Sequence, residues 1–106
     1  MEVNGKCKED FEKWYKNQHP DGHWYALVSF YNLAKSMQYG VYVDWFDSVG
    51  IHLVSYNIKG LANCYGSEVE LANDREFCNR CYSSTRHEAR TKAIEKAHEI
   101  YNDTLK

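Results

Sequence analysis

Cys7, Phe11, Trp14, Tyr15 and Gln18 recur at the i, i+4, i+7, i+8 spacing of one helical face, with Lys8, Glu9, Glu12 and Lys16 opposite. This predicts an N-terminal helix that stops at "HPDG", where Pro20 cannot continue it and Asp21-Gly22 favours a turn. In "HWYALVSFYNLAKS" the apolar positions Trp24, Leu27, Val28 and Tyr31 fit a short helix, while the aromatic and β-branched content also fits a buried strand. The helix is preferred. In "SMQYGVYVDWFDSVG" Ser36 can cap a third helix whose inward stripe is Met37, Val41, Trp45 and Val49, with Tyr42 and Phe46 beside it. Gly50 then supplies a left-handed residue just past its end. Gly40 inside that helix costs about 1 kcal/mol relative to Ala, and the rival is a strand over "VYVDWF". Helical spacing from Met37 to Val49 with a signal at each end outweighs it.

The second half of the chain changes period. Ile51, Leu53 and Ser55 alternate with His52, Val54 and Tyr56, which reads as a strand, and Gly60 or Asn63 begins a turn. "EVELA" and "EFCNRCY" give two further short strands, with "NDRE" as the hairpin turn between them. Thr85 and Glu88 form a T-x-x-E capping box for a final helix. Its apolar stripe is Ala89, Ala93, Ala97, Ile100, Tyr101 and Leu105, and Glu88 with Lys92 adds an i,i+4 pair worth a few tenths of a kcal/mol. The predicted order is α-α-α-β-β-β-α. It makes residues 1–106 a single two-layer α+β domain in which N-terminal helices and a long C-terminal helix pack on a three-stranded antiparallel sheet.

Charge narrows the function classes. Thirteen Lys and Arg against fifteen Asp and Glu leave a net charge of −2, which argues against a protein built mainly to neutralise phosphates. Nine Tyr, four Phe and three Trp are many for a core this small, so some belong on a binding surface. Tyr39, Tyr42 and Tyr56 fall off the inward stripes and are the candidate partner-binding residues. "MEVNGKCKED" has no apolar h-region, and the longest apolar run, Trp24 to Val28, is far short of the roughly 20 residues that span a bilayer. No membrane association is expected. A cytoplasmic setting with reduced thiols is.

Cys78-Asn79-Arg80-Cys81 has the spacing of half a zinc site. A second C-x2-C pair is missing, so the metal alternative needs Cys64 and His87 to complete a Cys64, Cys78, Cys81, His87 set. Positions i and i+3 of a regular strand point to opposite faces, which favours ordinary reduced thiols and no cofactor. His87 and His98 share a helix face but stand about 16 Å apart along it. "HEAR" and "HEIY" lack the second His of a zinc-protease motif, because Thr91 and Asn102 hold that place. His19 and His23 read as surface imidazoles, and Asp44 with Asp47 as a solvated helix face. No nucleophile elbow, phosphate loop or dinucleotide fingerprint occurs, so the chain is expected not to be an enzyme.

"TRHEARTKAIEKA" resembles the last helix of double-stranded-RNA-binding domains, with Arg86, His87 and Arg90 at the phosphate-facing positions and Ala89, Ala93 and Ala97 at the packing positions. The resemblance implies shape-based RNA binding, here by Arg86, Arg90, Lys92 and Lys96. The sequence departs from that pattern at His87 and Glu88 and lacks a glycine-proline loop between the first two strands. A broader likeness covers about half the chain. "FYNLAKSMQYGVYVDWFDSVGI" and "TRHEARTKAIEKAHEIYNDTL" resemble small phage and prophage proteins of gut Bacteroidetes, a group that implies a setting and no mechanism. The leading expectation is a small non-enzymatic phage or prophage accessory protein that binds a host or phage macromolecule. An RNA-binding module and a small zinc-stabilised domain are the alternatives, and the oligomeric state stays open.

Overall fold

The computed structural model describes residues 3–18, 23–58 and 64–104, with backbone alone at 23, 24, 75–77 and 104. Its elements are α1 (Gly5–Gln18), α2 (His23–Tyr31), α3 (Lys35–Ser48), β1 (Ile51–Asn57), β2 (Tyr65–Leu71), β3 (Asp74–Ser83) and α4 (Arg86–Thr104). The order is the α-α-α-β-β-β-α read from the sequence, and the preferred helix over the ambiguous "HWYALVSFY" is the one observed. The strands form an antiparallel meander in the order β1-β2-β3. The β2–β3 turn is Ala72-Asn73, tighter than the "NDRE" expected, and β3 already begins at Asp74. A register irregularity at Glu70/Leu71 absorbs the difference, since Glu70 pairs with Cys78 but Leu71 with Asp74. The predicted turn at Gly60 or Asn63 and the stripe residue Leu105 lie outside the described residues.

Among the described residues the helical cover lies on one side of the sheet. α4 crosses the three strands, α3 lies against β1, and α1 packs on α2 and α4. Alternation places Ile51, Leu53, Ser67 and Val69 toward the helices. The small Ala89, Ala93 and Ala97 let α4 approach that face, with Ile94 filling the space between. Behind this layer aromatic rings complete the core: the Phe11 centroid stands 4.6 Å from Tyr42, 5.1 Å from Phe30 and 5.6 Å from Trp45. Trp45 in turn meets Tyr101 of α4 at 5.0 Å. Tilted and edge-on contacts of this kind add to the large areas the rings bury.

α3 departs from expectation in the face it buries. The buried set is Gln38, Tyr42, Trp45 and Phe46, while the predicted Met37 and Val49 are 57% and 41% exposed. The i, i+4, i+8 stripe is real but sits one residue further along. Three aromatic rings on that side remove more apolar surface from water than Met37 and Val49 would. Gln38 joins them because its amide has work inside: Nε2 donates to the carbonyls of Tyr31 at 3.2 Å and Leu33 at 3.1 Å. Those carbonyls belong to the end of α2 and the turn after it, where helical partners run out. The predicted cap also moves. α3 starts at Lys35 with Ala34 as N-cap and no side-chain cap bond, so Ser36 lies inside the helix. Gly50 does take the left-handed conformation, φ +86°, just past the helix end. α4 opens as read, Thr85 Oγ1 accepting from the Glu88 N–H at 3.1 Å, with the Glu88 carboxylate turned to Ser84 at 3.4 Å. No helix among the described residues is long and apolar enough to cross a membrane.

Candidate functional site: the open face of the sheet

With the helices all on one side, the other side of the sheet faces solvent, and the strand register sorts its side chains into three rows. His52, Glu70 and Cys78 make the first; Val54, Glu68 and Arg80 the second; Tyr56, Gly66 and Tyr82 the third. Each row runs straight across three strands, so neighbours stand about 5 Å apart at their Cβ atoms.

The third row is aromatic. Tyr56 leans over Gly66 so closely that a Cβ there would lie 2.5 Å from the ring, which explains why the middle strand carries glycine at this point. The Tyr56 hydroxyl donates to Glu68 Oε1 at 3.3 Å, and Arg80 Nε donates to the same oxygen at 2.7 Å. Lost solvation, with the Glu68 carboxylate next, holds the Tyr56 phenol above its ordinary range. Glu68, and after it a hydrogen bond with Tyr82, keeps Arg80 firmly protonated. Tyr82 and Val54 are 57% and 52% exposed. The Lys92 ammonium reaches from α4 to the Tyr82 carbonyl at 3.0 Å, placing a charge on the outer edge of β3.

The first row is ionisable. His52 Nδ1 lies 2.6 Å from Oδ1 of Asp47 in the last turn of α3; a carboxylate only accepts, so Nδ1 is the donor of that bond. Donor atoms of Glu68, Glu70 and Cys78 all lie within 4.8 Å of one another.

The residues singled out from the sequence distribute unevenly. Tyr42 is a correction: at 1% exposure it is a core ring between Phe11 and Phe30, not a partner-binding side chain. Tyr39 is half-buried beneath the Arg90 guanidinium, 5.4 Å from its ring centre. Tyr56 alone of the three lies on the open sheet face. The exposed aromatics outside the candidate set are Tyr25, Tyr31 and Tyr82; Tyr31 and Val28 belong to the apolar positions expected on α2, where Phe30 is the buried residue instead. On α2, Tyr25, Val28 and Tyr31 give an uncharged surface, and the Tyr31 hydroxyl is bonded to Glu12 at 2.7 Å.

The four cations of the RNA alternative do not form one surface. Arg86 stacks over Tyr65 at 5.6 Å and Arg90 over Tyr39, its Nε buried without a hydrogen-bond partner. Lys92 is engaged with Glu88 as well as Tyr82, and Lys96 with Glu99. At about 100° per residue, the arginines and the lysines lie about a third of a turn apart. The solvent ridge beyond the lysines carries Glu88, Glu95 and Glu99. The Cys64, Cys78, Cys81, His87 set is also corrected. Cys78 points to the open face and Cys81 to the helical face, where its Sγ faces Asn79, and the donor cluster found among the described residues contains neither Cys81, Cys64 nor His87. Asp44 lies beside Trp14, Tyr15 and Gln18 of α1, while Asp47 serves His52.

At one end of the sheet Val49, Gly50, Ile51, Leu71, Ala72 and Tyr101 line an open apolar cleft of ≈ 430 Å³. No protein-family model, curated protein or solved structure matches the chain.

Proposed function

We propose that this protein is a small non-enzymatic accessory protein of phage or prophage origin that binds a host or phage protein on the open face of its sheet. The observation that carries the reading is the aromatic and cationic patch of Tyr56, Val54, Arg80 and Tyr82. Tyr and Arg are the residue types that dominate interface energetics, and a flat three-stranded surface presents them without reorganisation. A binder is favoured over a catalyst because Glu70, Cys78 and Arg80 are exposed, and solvent makes the large pKa shifts of active sites hard to maintain. Free Cys7, Cys64, Cys78 and Cys81 fit a reducing cytoplasmic setting.

The test uses the untagged full chain, immobilised and exposed to host and phage-infected lysates, beside Tyr82→Ser and Val54→Ser variants. Both positions are exposed, so the variants should retain the far-ultraviolet circular dichroism of the parent. Specific retention of a protein, reduced at least tenfold by either substitution, is the expected result. Retention that both variants leave intact would refute the assignment to this face. Retention of RNA alone, lost with rising salt, would transfer the function to the α4 cations.

A further inference from the structure

We infer that the ionisable end of the open face is a binding site for one thiophilic divalent cation, zinc in class, held by Cys78, Glu70, Glu68 and the imidazole of His52. The inference does not depend on the protein-binding reading, although Glu68 adjoins that patch through Arg80 and Tyr56.

Convergence is the first observation. One thiol and two carboxylates from adjacent strands already lie with their donor atoms within 4.8 Å of one another. Tetrahedral zinc with bonds of about 2.0 Å to oxygen and 2.3 Å to sulfur needs donors about 3.3–3.5 Å apart. The closure required is at most about 1.5 Å, within the reach of side-chain rotation on a fixed sheet. Arg80 compensates Glu68, but among the described residues no cation pairs with Glu70. A carboxylate beside a thiol in the first row, with no cation among the described residues paired to it, is therefore an arrangement that a bound cation would relieve.

The second observation comes from a different strand. His52 is the ladder partner of Glu70 on the same face; its ring lies outside the 4.8 Å group and hydrogen-bonds through Nδ1 to the Asp47 carboxylate, so it would join as a fourth ligand through Nε2. In the neutral imidazole that bond leaves Nε2 as the nitrogen free to ligate. Carboxylate–imidazole pairs orient and strengthen histidine ligands in this way at metal sites. The resulting set of one sulfur, one nitrogen and two oxygens suits zinc, whereas magnesium and calcium prefer oxygen throughout. Since the donors come from β1, β2 and β3, the cation would tie the three strands together across their uncovered side.

The test is titration of the metal-free, reduced full chain with Zn²⁺ by calorimetry, and with Co²⁺ as a spectroscopic reporter. One equivalent of Zn²⁺ is expected, and with Co²⁺ a near-ultraviolet sulfur-to-cobalt charge-transfer band that Cys78→Ser abolishes. Glu70→Gln and His52→Ala should each weaken binding about tenfold or more, while Cys64→Ser and Cys81→Ser leave it unchanged. The substituted site residues are all at the surface, and circular dichroism of each variant confirms the fold. Absence of saturable binding would overturn the inference. So would a thiolate band that survives Cys78→Ser, or one lost with Cys81→Ser. Affinity unchanged in His52→Ala would strike the imidazole from the set.

Discussion

Replacing Gln38 by Leu tests the claim that α3 turns its polar residue inward for a reason. Gln38 is 2% exposed and its side-chain amide serves two carbonyls, those of Tyr31 and Leu33. A leucine of similar size keeps the apolar packing and removes both donors. Each hydrogen bond contributes about 1 kcal/mol net, and a carbonyl left buried without a partner costs about 1–3 kcal/mol. Two such groups, only partly buried and so partly rescued by water, give an expected loss of about 2–4 kcal/mol. Burial of extra leucine surface offsets this by about 1 kcal/mol at most. The net, about 1–3 kcal/mol, corresponds to a fall in Tm of roughly 5–20 °C for a domain of this size. Urea and thermal unfolding followed by circular dichroism measure it. Gln38→Glu should be at least as damaging at neutral pH, because it substitutes an acceptor for a donor beside two carbonyl oxygens. A Gln38→Leu protein as stable as the parent, or more stable, would refute the reasoning and leave the orientation of α3 to its aromatic rings alone.

Three other contacts of the structure have measurable consequences. Burial, and next the Asp10 carboxylate, push the Cys7 thiol up to about 12 from 9.0. The unfolded chain releases that proton first, so its stabilising effect is complete below about pH 9 and is lost toward pH 12, by about 1.4 kcal/mol per pH unit; Cys7→Ala should flatten the alkaline limb of a stability–pH profile. Gly66→Ala should displace the Tyr56 ring and cost about 1 kcal/mol, yet become neutral or stabilising in a Tyr56→Ala background, where the strand gains from losing a glycine; equal costs in the two backgrounds would contradict the close approach. Asn102→Ala removes the acceptor of the Cys7 N–H at 2.8 Å and the donor to the Asn4 carbonyl at 3.2 Å. It should cost about 1–3 kcal/mol and accelerate hydrogen exchange at the Cys7 amide.

Much of this architecture is legible in the chain because local signals agree with one another. α4 carries its cap at Thr85 and its alanine stripe, and β1 alternates cleanly from Ile51 to Tyr56. The face of α3 does not follow from apolarity alone: Gln38 reads as surface until the carbonyls at the end of α2 are placed above it. The same one-residue rotation carries Tyr42 into the core. The open face was harder still. His52, Glu70 and Cys78 are scattered along the chain with no motif spacing, and only the pairing register makes them neighbours. The conspicuous Cys78–Cys81 spacing pointed instead to a pair that strand alternation splits between two faces.

The beginning of α1 is held by the far end of the chain. Cys7 bonds to Asn102, and Asn4 bonds to both His98 and Asn102, across separations of 94 to 98 residues. During synthesis α1, α2 and α3 therefore leave the ribosome long before the helix that fastens them exists. At that stage Phe11, Phe30, Tyr42 and Trp45 can gather only among themselves, and Trp45 lacks its Tyr101 neighbour. Completion of the fold must wait for α4, so the nascent protein passes through a period of exposed aromatic surface in which a chaperone, or premature association with another chain, competes with folding. Any truncation within α4 would make that period permanent.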